Sequence, residues 1–212
     1  MIHRNDVISV SSDFTLAKAI SRMEIFGHRA LPVVDFNRYK GVIELFAIYE
    51  HIYIKRDVDL EVAEVSDVMR SNIQVVYGDD FVEHAATAFR NHRYQFLPVL
   101  MNDTTDQFMG IIPVATIMNT FASALGLGQP AHRLTVICDN VKGELARLTR
   151  ALYASGANIT SLATVEHTAT NAAGQPDPRM VLVVKFEGDL ESALISCRAQ
   201  GAIITHVDRY EG

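Results

Sequence analysis

Between Leu16 and Met23 the apolar residues Leu16, Ala19, Ile20 and Met23 recur at spacings of three and four, which predicts an amphipathic helix with one buried stripe. Moving the chain by 66 positions lays this stripe on Val82, Ala85, Ala86 and Phe89. The same shift lays Leu31-Pro32-Val33 on Leu97-Pro98-Val99, Val10 on Val76 and Asp13 on Asp79. An offset that superimposes a helix stripe, a strand and a polar start residue together marks an internal repeat. Asp13 and Asp79 stand just ahead of the stripes, where a carboxylate accepts from free first-turn N–H groups, so each is expected to cap its helix. Each unit reads as a strand (Val7 to Val10; Ile73 to Val76), the helix, the Leu-Pro-Val strand, a polar turn, a strand entered through Gly41 or Gly110, and a second helix. The turn is Phe36 to Lys40 in the first unit and the longer Asn102 to Gln107 in the second. A β-α-β-β-α unit of roughly 60 residues buries too little surface to stand alone, so the two copies are expected to pack as one pseudo-symmetric module.

From about His132 the pattern changes. Arg133 to Cys138 reads as a strand, and Leu145, Leu148 and Leu152 line one face of a helix ending at Gly156. Asn158 to Glu166 reads as a strand, Thr168 to Arg179 as a turn with Gly174, Pro176 and Pro178, and Met180 to Val184 as a buried strand. Asp189 then caps a helix whose apolar face is Leu190, Ala193, Leu194 and Cys197, Gly201 ends it, and Ile203 to Val207 closes the sheet. The order is βαββαβ, the ferredoxin-like arrangement. The stretch Ala124 to Pro130 carries the Gly and Pro of a linker. The fold class is therefore α/β in the α+β sense, with repeats at 1–58 and 59–127 and a third domain at 128–212.

A chain of 212 residues with 49% hydrophobic and 21% charged residues is an ordinary globular protein rather than a disordered or collagen-like one. Its net charge of −6 provides no electrostatic excess for a nucleic acid or an anionic membrane, so neither is expected as a partner. Two cysteines, Cys138 and Cys197, are too few for a disulfide framework or a structural zinc site and read as small buried hydrophobes. No run approaches the length of a membrane span and Met1 to Asp6 lacks an apolar signal region, which gives a cytoplasmic expectation. Phosphate-loop, zinc-protease and nucleophile-elbow signatures are absent from the sequence, and Glu166-His167-Thr168 reads as a surface hairpin rather than acid–base machinery. No enzymatic activity is expected.

The repeated Leu-Pro-Val with its following Gly-hydrophobic-hydrophobic, together with Val65-Ser66-Asp67-Val68-Met69 ahead of the second unit, resembles a tandem cystathionine-β-synthase-type (CBS) pair over roughly residues 1–125. That resemblance implies an adenosine-type ligand (AMP, ADP, ATP or a related compound) held between the repeats. On this chain the matching positions are Leu31, Pro32, Gly41, Ile43 and Glu44 in the first repeat, with Phe96, Pro98, Gly110, Ile112 and Thr116 in the second. It also implies an aspartate at the start of the last helix, where a carboxylate accepts both ribose hydroxyls. This chain departs there, with Glu44-Leu45-Phe46-Ala47 and Pro113-Val114-Ala115-Thr116. A hydrogen bond to a charged acceptor contributes about 1.5–3 kcal/mol, so its loss weakens a nucleotide roughly tenfold to over a hundredfold unless Glu44 substitutes. His28, Arg29, His92 and Arg93 precede the Leu-Pro-Val strands as phosphate candidates or as a solvated loop edge, and Tyr94 and Phe96 as purine platforms or as core.

The last 80 or so residues are similar to ACT domains, with Gly143-Glu144-Leu145 opening a helix and Gly156-Ala157-Asn158-Ile159 opening a strand. Joined in this order, the chain resembles the CBS–ACT proteins typified by the acetoin-utilisation B family. The ACT resemblance implies an amino acid or similar effector bound where the first helix of one domain faces the second strand of a partner. A helix N-terminus attracts a carboxylate there. Asn140 replaces the family's aspartate and Lys142 adds a positive charge, while Gly143 and Asn158 serve either the effector or only the turn and strand start. The expected function is a ligand-controlled regulator in which small molecules bias a homodimer that acts on another protein. The alternative is a structural dimerisation module with degenerate sites. The dimer expectation rests on Leu45, Ile48 and Ile52 and on Ile117, Phe121 and Leu125 as helix faces in excess of one core.

Overall fold

The computed structural model describes residues 1–56, 58–90, 93–166, 170, 174 and 177–210. Two compact units emerge, Met1–Asn119 and Thr120–Gly212. The N-terminal unit contains β1 (Ile2–His3), α1 (Leu16–Phe26), β2 (Ala30–Asp35), β3 (Arg38–Glu44) and α2 (Leu45–Lys55), followed by β4 (Val76–Tyr77), α3 (Val82–Phe89), β5 (Phe96–Asn102) and β6 (Thr105–Pro113). Helix α4 (Val114–Ala124) runs across the division. The strand order is β2-β3-β6-β5-β4, with β1 on β6.

The two repeats form one module, as the shared offset predicts, and the structure shows how. Each repeat takes a strap from ahead of the other: β1 pairs with β6 (His3 opposite Gly110), and Arg70 exchanges backbone hydrogen bonds of 3.0 and 2.9 Å with Val42 on β3. A shared apolar cluster holds Val7, Tyr39 and Val42 together with Tyr94, Phe96, Leu100 and Phe108. The Tyr39 and Phe108 rings stack with centroids 6.1 Å apart. Inside the first repeat, Leu16, Ala19 and Met23 of α1 are buried on Leu31, Val33, Ile43 and Ile48.

Several expectations are corrected. The cap of α1 is Thr15, whose hydroxyl accepts from Lys18 N–H at 3.3 Å, and α3 begins after Phe81, so Asp13 and Asp79 cap neither helix. Val7 to Val10 is not a strand; only Val10 bridges to Val33, and Ser11 and Ser12 turn aside to donate to Asp35. Burial opposes charge on Asp35, but the Ser12 hydroxyl and N–H, then Ser11, outweigh it and hold this carboxyl below the usual range. The turn at Phe36 and Asn37 is left-handed at both residues, which shortens the predicted polar turn to two residues. The helix faces read as surplus are mostly core: Ile48 is wholly buried, Leu45 and Ile52 pack on the same cluster, and Ile117 is buried. The exposed apolar residues of α2 are instead Phe46, Tyr49 and Tyr53, at 64%, 54% and 81% and spaced three and four apart on one face, together with Ile54 at 70%.

The C-terminal unit carries β7 (His132–Asp139), α5 (Glu144–Ala154), β8 (Asn158–Glu166), β9 (Arg179–Glu187), α6 (Leu190–Ala199) and β10 (Ile203–Asp208) in the antiparallel order β10-β7-β9-β8, which is ferredoxin-like. The predicted helix faces hold except at Leu145, which is exposed: Leu148 and Leu152 of α5 meet Leu190, Ala193, Leu194 and Cys197 of α6 over Leu134, Val136, Leu182, Val184 and Phe186. Asp189 caps α6 as expected, accepting from the Glu191 and Ser192 N–H groups. Cys138 and Cys197 are buried and free, and burial pushes both thiols up. His92, His167 and most of the predicted turn after Glu166 lie outside the described residues.

Candidate functional site

β2 is entered from the exposed residues Gly27 to Arg29, and β5 from exposed Arg93 through buried Tyr94 to Phe96. In both repeats the loop carbonyl then receives the first N–H of the closing helix: Leu45 donates to Arg29 O and Val114 to Gln95 O, each at 2.9 Å. These matched junctions enclose a cavity of about 440 Å³, within the range of small-molecule sites. Its walls are Gly27 to Ala30 and Glu44 from the first repeat, with Arg93 to Phe96 and Pro113 from the second. The offset of 66 maps the first loop onto the second, and Glu44 and Pro113 end equivalent strands, so the cavity lies astride the pseudo-two-fold.

Its chemistry is uneven. His28, Arg29 and Arg93 stand exposed at the rim, whereas Tyr94 and Phe96 are buried at 6% and 8%. Arg93 also lies over the Tyr94 ring, 5.9 Å from its centroid. Glu44, the single acid among the described lining residues, is 9% exposed, with Oε1 3.3 Å from Arg70 Nε and 3.5 Å from Arg93 Nη2. That oxygen is shut off from solvent and has no aligned hydrogen bond, so two guanidinium charges hold it electrostatically. Arg70 spans onward to Glu50 of α2 at 3.6 Å. Burial, then the Glu44 charge, raises the Tyr94 phenol.

Of the CBS-type candidates, His28, Arg29, Glu44, Arg93, Tyr94 and Phe96 come together in this cavity. Leu31, Pro32, Ile43 and Pro98 are packed in the interior, and Ile112 and Thr116 are half-buried outside the lining. Gly41 and Gly110 have a structural task. A Cβ on Gly41 would stand 2.3 Å from Arg70 O, and one on Gly110 2.0 Å from Ile2 O, so both glycines admit the crossing straps. The position where a ribose aspartate is missing, Ala47, is buried at 6%. Arg70 escaped the sequence reading although the same offset places it on Arg4; its partner Glu44 becomes visible only through the crossing.

The effector candidates of the C-terminal unit do not converge within one chain. Asn140, Lys142 and Gly143 follow the end of β7, whereas Asn158 pairs with Glu187 at the other end of the sheet, a strand length of roughly 25 Å away. Glu144 turns inward, is buried, and takes a forked ion pair from Arg147, with Arg147 Nε donating to Oε2 at 2.9 Å. Asn158 Nδ2 donates weakly to the Glu187 carboxylate at 3.4 Å, Ile159 packs on the core, and Leu145 is 36% exposed. A cavity of about 550 Å³ on α5 contains Gly143 with Ala146, Arg147, Arg150 and Gln200, none of the last four anticipated. Among the described residues no cluster of acids, histidines and cysteines fits a metal, and no helix is long and apolar enough to cross a membrane.

The CBS domain family model matches residues 1–54 and 65–123, more than half of the chain, and the chain belongs to that family. CBS pairs are ligand-sensing regulatory modules. Inosine-5'-monophosphate dehydrogenase of Methanocaldococcus jannaschii is 34% identical over 113 residues, 53% of this chain, and the chain spans only 21% of that protein. A CBS domain-containing protein of Bacillus anthracis superposes with a TM-score of 0.51 at 25% identity, covering 58% of this chain and 89% of its own. CbpB of Streptococcus agalactiae gives 0.53 at 20%, covering 59% and 78%. A structure of CbpB in complex with c-di-AMP gives 0.52 at 21%, covering 58% and 81%.

Proposed function

We propose that this chain is a non-enzymatic, cytoplasmic regulator whose CBS pair binds an anionic adenosine nucleotide in the cavity between the repeats. Its βαββαβ unit is an ACT-type sensor of an amino acid or similar small effector, and both act on a partner protein through a homodimer. The observation that carries the reading is the convergence of three rim bases, His28, Arg29 and Arg93, on a cavity floored by Tyr94 and Phe96. Guanidinium groups at the mouth suit phosphate oxygens, and buried aromatic faces suit a purine. The c-di-AMP bound by CbpB is a ligand of that chemistry. With Ala47 and Thr116 in place of ribose carboxylates, affinity is expected to be weak. Thermal-shift measurements with AMP, ADP, ATP, c-di-AMP and the common amino acids test this. A nucleotide at about 100 times its dissociation constant adds about 2.7 kcal/mol of stability. No shift with any nucleotide up to millimolar concentration overturns the nucleotide reading.

One observation favours the alternative of a dimerisation module. Phe46, Tyr49 and Tyr53 present an aromatic face on α2 that the N-terminal unit does not cover, with Val114 and Met118 exposed on α4. Sedimentation is expected to show a dimer at micromolar concentration, and the double substitution Phe46→Glu, Tyr53→Glu to give a monomer. A monomeric parent would remove the homodimer from both readings.

A further inference from the structure

Glu44 sits where a helper for the ribose was expected, yet its surroundings are those of a counter-ion. Its carboxylate has Arg93 of the second repeat at 3.5 Å and Arg70 of the crossing strap at 3.3 Å. Arg93 is also one of the rim bases facing the cavity. The equivalent position in the second repeat is Pro113, which carries no charge, so this anion has no symmetry mate.

Resting on the nucleotide reading above, the geometry points to Glu44 as a built-in competitor: an internal anion that occupies Arg93 in the empty state and that a ligand phosphate must displace. A buried carboxylate cannot leave its two guanidinium partners for water without losing their attraction, and a phosphate entering beside it meets like charge at short range. A dianionic phosphate ester outweighs the single carboxylate in drawing Arg93 toward the cavity, and a neutral nucleoside exerts no such pull. The site therefore selects for phosphate charge. Because Glu44 starts α2 while Arg93 belongs to the second repeat, the exchange also loosens one tie between the repeats when ligand binds. The opposite role, acceptor for ribose hydroxyls, predicts effects of opposite sign.

Calorimetry at low ionic strength with AMP and adenosine as probes separates the two roles. In the Glu44→Gln variant of the full chain, AMP is expected to bind roughly tenfold more tightly and the AMP-over-adenosine preference to rise with it. Arg70→Gln leaves the carboxylate wholly to Arg93 and is expected to weaken AMP several-fold, which gives a second reading should Glu44→Gln not fold. Parent binding that Glu44→Gln leaves unchanged or weakens for both ligands overturns this inference alone. Absence of AMP binding in parent and variants overturns it together with the nucleotide reading.

Discussion

Gly41→Ala is expected to lower the stability of the N-terminal unit by about 3 kcal/mol, from overpacking against backbone and the loss of two strap hydrogen bonds. The added methyl would stand 2.3 Å from Arg70 O, 2.9 Å from its carbonyl carbon and 3.1 Å from Ser71 Cα. All three are backbone atoms, so no rotamer change relieves them. The strap must lift from β3 and forfeit both Val42–Arg70 hydrogen bonds, and the guanidinium that reaches Glu44 lifts with it. Gly110→Ala meets Ile2 O at 2.0 Å, but β1 is only two residues long with both side chains exposed and can detach locally, so about 1 kcal/mol is expected there. Urea titration of both variants checks the ranking. A Gly41→Ala midpoint equal to that of the parent would show that the strap is not held as described.

That contrast also explains what the sequence made legible. The offset of 66 is a local signal repeated twice, and it located α1, β2 and their partners because side-chain period and strand identity travel together. The βαββαβ order was readable for the same reason: Leu148, Leu152, Leu190 and Ala193 are spaced for one buried face, and the structure buries them. Helix starts were less legible, since Asp13 and Thr15 are both competent caps two residues apart and only the turn of Ser11 and Ser12 toward Asp35 decides between them. The crossing straps were not legible at all. They pair residues distant in sequence through backbone atoms, which leave no side-chain pattern, and so the strap-admitting task of Gly41 and Gly110 stayed hidden. The same blindness hid Arg70 behind Glu44 and misassigned Ile48 to an external face, because a helix stripe shows that a face is apolar without showing which surface covers it. In the C-terminal unit the strand directions carry Gly143 and Asn158 of one chain to opposite sheet ends, so an effector site using both needs the partner domain that the ACT resemblance implies.

Phe186→Ala is expected to have the largest effect on the C-terminal unit, about 3–5 kcal/mol, from lost transfer energy and the cavity left behind. Phe186 is wholly buried on β9, the central strand between β7 and β8, and its backbone partners are His132 and Ile159. The His132 ring lies 5.6 Å from its centroid, and the surrounding cluster draws on both helices and the sheet. Strands on both sides fix the backbone, so the site cannot collapse onto the missing ring, which places the cost toward the upper end. Among the described residues this cluster shares none with those around Leu31 and Tyr39. A calorimetric scan of the variant is therefore expected to split into two transitions, an early one for residues 120–212 and a later one close to the parent's. Nucleotide binding, which belongs to the cavity at Arg93 and Tyr94, should survive between them. A single cooperative transition shifted down as a whole would show that the two cores fold as one, and loss of AMP binding before any unfolding would place the C-terminal unit in control of the nucleotide cavity.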